Sequence, residues 1–172
     1  NKLLNRILWH GSHQHGLRLA SIEGGSLRNA IPREAFAIVT IPANQKEQFE
    51  NSFEKISSEI KNEFSSTDED ITVKLNKTET PDYLIDAKTS QGLFNAIYAC
   101  VDGVIRLSPS MKGVVETSTN LALIKSNNEK IEMASLQRSS IDSGKIAVAS
   151  SIRAAFESNG AIVEHAGEYP GW

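Results

Sequence analysis

The sequence is poor in the features that mark secreted, membrane-spanning or nucleic-acid-binding proteins. It has a single cysteine in 172 residues, which excludes a disulfide framework and fits a reducing, cytoplasmic compartment. No apolar run approaches the roughly 20 residues that a transmembrane helix needs. With 18 basic and 21 acidic residues the net charge is −3, which disfavours general binding to phosphate backbones. We therefore expect neither a membrane nor a nucleic-acid partner.

Recognisable catalytic motifs are also scarce. His10, His13 and His15 cluster, but no acidic residue or cysteine lies between them and the HExxH spacing is absent. We interpret them as a polar helix end and not as a metal site. There is no G-x-S-x-G motif, and Cys100 lies in an apolar run that is typical of a buried helix. The residues thus predict no catalytic group and no metal ligand in this chain.

Hydrophobic residues make up 40% of the chain, and their spacing predicts two series of elements. The first series is a helix that stops at Gly11, a hairpin of 17–22 with 36–41, a helix over 49–64 and a strand at 71–75. The second series is a strand at 83–85, a helix over 93–101, a hairpin of 114–124 with 130–136, a helix over 146–156 and a strand at 161–163. The second hairpin should turn at Asn127-Asn128.

This order predicts an α+β fold of two ferredoxin-like βαββαβ units, with antiparallel sheets and the helices packed on one face. The first unit covers 1–80 and lacks its opening strand, and the second covers 81–172. The missing strand and the absent initiator methionine lead us to expect a segment of a longer protein.

Two stretches, 22–35 and 135–145, combine polar residues with glycine or proline and have little reason to be there for packing alone. Elementary chemistry favours plain roles for their most distinctive residues. Asn29 is typical of a turn, and Arg138 at a strand end is typical of a surface charge or a helix-cap partner.

These two stretches, together with 112–120 and the closing Tyr169-Pro170-Gly171-Trp172, resemble the aminoacyl-histidine dipeptidases. Those enzymes are zinc exopeptidases that cleave Xaa-His dipeptides. The resemblance runs nearly end to end but covers only their lid domain. It implies that two zinc ions and the catalytic glutamate belong to a catalytic domain outside this chain, so the lid alone should be inactive. It also implies that 1–80 and 81–172 are two lid halves, the second ending at the hinge to the catalytic domain.

The resemblance implies a substrate-binding role for two residues. Asn29 matches the asparagine of the family's Asn-Ala-Ile-Pro motif, and Arg138 matches the arginine that holds the substrate's C-terminal carboxylate. A guanidinium fork suits that bidentate contact. The implied partners are a dipeptide with a C-terminal histidine, the catalytic domain of the same chain and, as in several relatives, a second copy. An amino-acid-sensing regulatory module and an oligomerisation scaffold remain open alternatives.

Overall fold

The computed structural model of the chain describes residues 1–167, so the closing stretch 168–172 lies outside the described residues. The elements follow in the order α1 (Lys2–His15), β1 (Arg18–Gly24), β2 (Ala35–Thr40), a 3-10 turn (Ala43–Gln45), α2 (Lys46–Glu63), α3 (Ala87–Ala99), β3 (Gly103–Leu107), β4 (Val115–Ser126), β5 (Ile131–Ser139) and α4 (Asp142–Glu157). The predicted α+β class, with antiparallel strands, is confirmed.

Within residues 1–167, five strands form one antiparallel sheet around the long strand β4. β5 pairs along one edge of β4, while β3 and β1 share the other edge, at the start and at the end of β4 respectively. β2 pairs with β1. The pair formed by Gly24 and Ile124 joins residues from both predicted units. The sheet therefore combines strands from before and after residue 80. The division into 1–80 and 81–172 stays a prediction.

The helices pack on one face of this sheet. Along β4, Thr117, Thr119 and Leu121 are buried beneath the helices, and Ser118 and Asn120 point to the opposite side because side chains alternate along a strand. We call that opposite side the open face. A single core unites all four helices with β1 and β4 through residues such as Ile7, Leu19, Phe53, Phe94, Ile97, Ile124 and Ile152. None of the helices within residues 1–167 has the length and apolar character to cross a bilayer.

The first helix is longer than predicted, because Gly11 does not end it. A Cβ at Gly11 would lie 2.6 Å from Leu17 Cδ1 and 2.9 Å from Phe49 Cε2. The glycine therefore allows close packing within the helix. α1 instead ends at Gly16, whose φ of +68° lies in the left-handed region that favours glycine.

The predicted strands at 71–75, 83–85 and 161–163 are wrong, since these residues form no strand in the structure. Ile71, Val73, Ile85 and Val163 are half-buried against the core, so the alternation correctly indicated partial burial. Burial alone does not make a strand, which also needs a ladder of hydrogen bonds. Conversely, β3 was not predicted, because all five of its residues are exposed and give no alternating pattern.

Both predicted hairpins are confirmed, as β1 with β2 and β4 with β5. The second turns at Asn127, whose Oδ1 accepts hydrogen bonds from the backbone N–H groups of Glu129 and Lys130, both at 2.9 Å. Asparagine favours such turns because its side chain satisfies the backbone two and three residues on.

Candidate functional site

Arg138 lies on the open face near the end of β5, where it is half-buried and pairs with Ser118. The next residue fixes this strand end. Ser139 Oγ lies 2.8 Å from Thr117 Oγ1 and accepts a hydrogen bond from the backbone N–H of Ile141 at 3.0 Å. The buried hydroxyl pair therefore ties β5 to β4, and the bond to Ile141 directs the chain into α4. Arg138 thus projects from a rigid strand and not from a loop.

Gly144, the glycine of the stretch 135–145, packs closely against this hydroxyl pair. A Cβ at this position would lie 3.2 Å from both Ser139 Oγ and Thr117 Oγ1, which is closer than ordinary van der Waals contact. The first turn of α4 can therefore rest against the hydroxyl pair beneath Arg138. This stretch does have a packing role, which the sequence alone did not indicate.

Asn29 is exposed at the turn of the loop 25–34, which connects β1 to β2. The backbone N–H of Ala30 donates to the carbonyl of Leu27 at 3.2 Å and closes the turn, while the N–H of Gly25 donates to the carbonyl of Glu34 at 3.2 Å and closes the base. Asn29 is thus a turn residue, as elementary chemistry favours.

The loop 25–34 contacts β4 at two points. Gly25 has a φ of +75°, and a Cβ there would lie 1.9 Å from the carbonyl oxygen of Ala122. Farther along, Asn120 Nδ2 donates a hydrogen bond of 2.7 Å to the carbonyl of Ala30. The loop therefore touches the same strand at its base and near its tip.

The sheet brings Asn29 and Arg138 to one region of the open face. Asn120, which holds the residue after Asn29, pairs with Leu136, and Leu136 lies two residues before Arg138 on the same face of β5. Neighbouring strands lie about 5 Å apart and residues two positions apart about 7 Å. The loop that carries Asn29 thus contacts β4, the strand next to β5, which carries Arg138, although the two residues are 109 positions apart in sequence.

A buried carboxylate lies next to this region and was not found by sequence reasoning. Glu116 is 3% exposed, and its Oε1 lies 3.3 Å from Nε of Arg106 on β3. The hydroxyl of Thr117 donates to the same carboxylate at 3.4 Å. Because the charge is paired and hydrogen-bonded, its burial is tolerable. The only sequence signal was its place within the stretch 112–120.

The histidine cluster lies at the end of α1, on the helical side of the molecule. The rings of His10 and His15 have centroids 5.6 Å apart, and His13 stacks on Trp9 at 3.9 Å. Partial burial lowers the pKa of His10, and the nearby His15 and Lys55 lower it further. Among residues 1–167 no group of three or more His, Cys, Asp or Glu side chains could hold a metal ion.

Two further features lie apart from the open face. A cavity of about 240 Å³ between α1, the start of β1 and α3 is lined by residues that include Ser12, Arg18 and Gln91, but it contains neither Asn29 nor Arg138. Cys100 is buried, as predicted, but it lies directly after α3 and not within the helix. Burial raises the pKa of its thiol to about 11. Such a thiol is protonated at neutral pH and is a poor nucleophile.

Comparisons with known proteins agree with this architecture. Residues 2–68 match the family of peptidase dimerisation domains. The whole chain, all 172 residues, is 36% identical to the cytosol non-specific dipeptidase of Escherichia coli (strain K12). It also matches the crystal structure of aminoacylhistidine dipeptidase from Vibrio alginolyticus, with a TM-score of 0.94 and 37% identity over 99% of this chain.

The chain is thus similar, over nearly its whole length, to part of two dipeptidases, which confirms the resemblance found in the sequence. The similarity extends well beyond residue 68, so the second half of the sheet is shared as well. The chain spans 36% of the Escherichia coli protein and 35% of the Vibrio alginolyticus chain.

Proposed function

We propose that this chain is the lid domain of a cytoplasmic, zinc-dependent Xaa-His dipeptidase, and that it binds the dipeptide over a di-zinc site in a separate catalytic domain. The homology to dipeptidases supports the enzyme class. The hydrogen bond from Asn120 to Ala30 carries the assignment of the site, because it brings the loop of Asn29 to the face that carries Arg138. The zinc ions would activate water and polarise the peptide carbonyl.

The two lid residues have complementary tasks in this proposal. Arg138 binds the C-terminal carboxylate of the dipeptide through two parallel N–H groups, a contact that the planar guanidinium favours. Because Arg138 is half-buried on a strand, water screens this charge pair less than it would screen a pair formed by an exposed loop residue. Asn29 orients the peptide with a neutral amide. Closure of the lid would then exclude water from the reacting bond.

Substitutions in the full-length gene product test these roles. We expect Arg138→Ala and Asn29→Ala to lower kcat/KM for an Xaa-His dipeptide, by about a hundredfold for Arg138 because a charged contact is lost. Arg33→Ala is the matched control, since Arg33 is an exposed arginine of the same loop as Asn29. Full activity in Arg138→Ala would refute the substrate-binding role and favour the scaffold alternative.

A titration of the 172-residue chain separates the lid from a sensing module. As half of a binding site, the chain should bind Xaa-His dipeptides weakly and show no hydrolysis. Calorimetric titration with free amino acids should detect no tight binding. A dissociation constant in the micromolar range for a free amino acid would favour the regulatory alternative.

We also propose that the chain forms a homodimer through the edge strand β2, which lies within the residues that match the dimerisation family. β2 pairs only with β1 in the described sheet, and its outward side chains Phe36 and Ile38 are 62% and 41% exposed. Exposed apolar edge strands pair readily with other chains. Phe36→Lys should therefore yield a monomer in sedimentation velocity, whereas Ile162→Lys, at a residue that is 93% exposed outside the sheet, should leave the dimer intact.

A further inference from the structure

The loop 25–34 reaches the open face with little hydrophobic burial to hold it there. Its largest apolar side chains, Leu27 and Ile31, are 60% and 81% exposed, so they contribute little to fixing the loop against the sheet, and among the loop's apolar side chains only Pro32, near the base, is half-buried. The hydrogen bonds of Gly25 and Ala30 described above close the loop on itself. Polar contacts with the strands beneath therefore help to hold its tip in place.

Asn120 makes such a contact beside Asn29. Its Nδ2 lies 2.7 Å from the carbonyl oxygen of Ala30, the residue that follows Asn29 in the chain. A side-chain amide suits this task because it donates a hydrogen bond and carries no charge. An aspartate of nearly the same shape could only place a carboxylate against the carbonyl, and the two acceptors would repel each other.

The register of the sheet connects this contact to the other proposed site residue. Asn120 pairs with Leu136, and Ser118, two residues earlier on β4, pairs with Arg138. One rigid ladder therefore fixes the anchor of the loop and the backbone of Arg138 relative to each other. We infer that Asn120 is a positioning residue, which holds Asn29 in register with Arg138 for binding of the dipeptide. This inference rests on the proposed function.

The test uses Asn120→Asp in the full-length gene product, assayed with an Xaa-His dipeptide. We expect a loss of about five- to twentyfold in kcat/KM, the size expected when one positioning hydrogen bond is removed. Asn120→Ala lacks the added charge and should show a similar loss, which covers the case in which the aspartate variant does not fold. Asn128→Asp is the matched control, because it makes the same change at the exposed turn of the same hairpin and should retain wild-type kcat/KM.

A double-mutant cycle distinguishes positioning from general destabilisation. If Asn120 acts through Asn29, then Asn120→Asp should cause no further loss in an Asn29→Ala background. The inference is overturned if Asn120→Asp and Asn120→Ala both retain wild-type kcat/KM, or if Asn120→Asp costs the same factor with and without Asn29. Failure of the proposed function has a different signature, because Asn29→Ala and Arg138→Ala would then both retain activity.

Discussion

Gly25 lies where β1 passes into the loop 25–34 and where that loop touches β4. Its φ of +75° is in the left-handed region, and a Cβ would overlap the carbonyl oxygen of Ala122 at 1.9 Å. Gly25→Ala therefore imposes two costs at once, a strained backbone and a collision between the two halves of the sheet.

Both costs can be sized from the structure. A left-handed conformation costs an L residue about 1–2 kcal/mol. The collision is relieved only if β1 and β4 separate, and the two residue pairs that join them, Glu23 with Lys125 and Gly24 with Ile124, immediately precede Gly25. Loss of one or two such backbone hydrogen bonds costs about 0.5–1.5 kcal/mol each. We expect Gly25→Ala to lower the free energy of unfolding by about 2–4 kcal/mol.

Urea unfolding of the 172-residue chain, followed by circular dichroism, measures this loss. Gly113→Ala is the matched control, because Gly113 has a φ of +81° but nothing within 4 Å of an added Cβ. The control should lose only the strain of about 1–2 kcal/mol. Equal losses in the two variants would refute the conclusion that the base of the loop is packed against β4.

Two further predictions concern the end of α3. Lys2 Nζ donates to the carbonyls of Ile97 at 2.7 Å and Tyr98 at 3.2 Å, and also to that of Cys100. Lys2→Met should therefore lower the free energy of unfolding, measured by thermal unfolding, by about 1–3 kcal/mol. The control Lys130→Met removes an exposed ion pair and should lower it by less than about 0.5 kcal/mol. Because burial raises the pKa of Cys100 from 9.0 to about 11, its thiol should react with an aromatic disulfide reagent at pH 8 only as fast as the chain unfolds. The unfolded chain ionises first, so stability should fall as the pH rises through 9, and rapid labelling of the folded chain at pH 8 would contradict this burial.

Local signals in the sequence predicted the elements that local chemistry determines. The four helices among residues 1–167 follow from apolar spacing, and the turn at Asn127-Asn128 follows from a side chain that accepts hydrogen bonds from the backbone two and three residues on. Gly11 misled the helix prediction because its role is to admit Leu17 and Phe49, a contact that no local pattern reveals. The sequence does not predict β3, because its exposed residues show no alternation of apolar and polar side chains.

The candidate site depends on contacts between residues far apart in the chain. Asn29 and Arg138 were predicted through the resemblance to a known family, since their composition and spacing alone favoured a turn and a surface charge. The bond between Asn120 and Ala30 and the pairing of Gly24 with Ile124 link residues about a hundred positions apart. Sequence periodicity carries no information on such register, which only the packed sheet determines.

The proposed contact of Arg138 with the substrate carboxylate is tested most directly by comparing an Xaa-His dipeptide with its C-terminal amide in the full-length gene product. The wild type should prefer the free carboxylate, since the amide cannot form the charged pair. Arg138→Ala should lose most of its kcat/KM on the free acid and little on the amide, so that the preference falls by about tenfold or more. Loss by the same factor on both substrates would contradict the assignment of Arg138 to the substrate carboxylate.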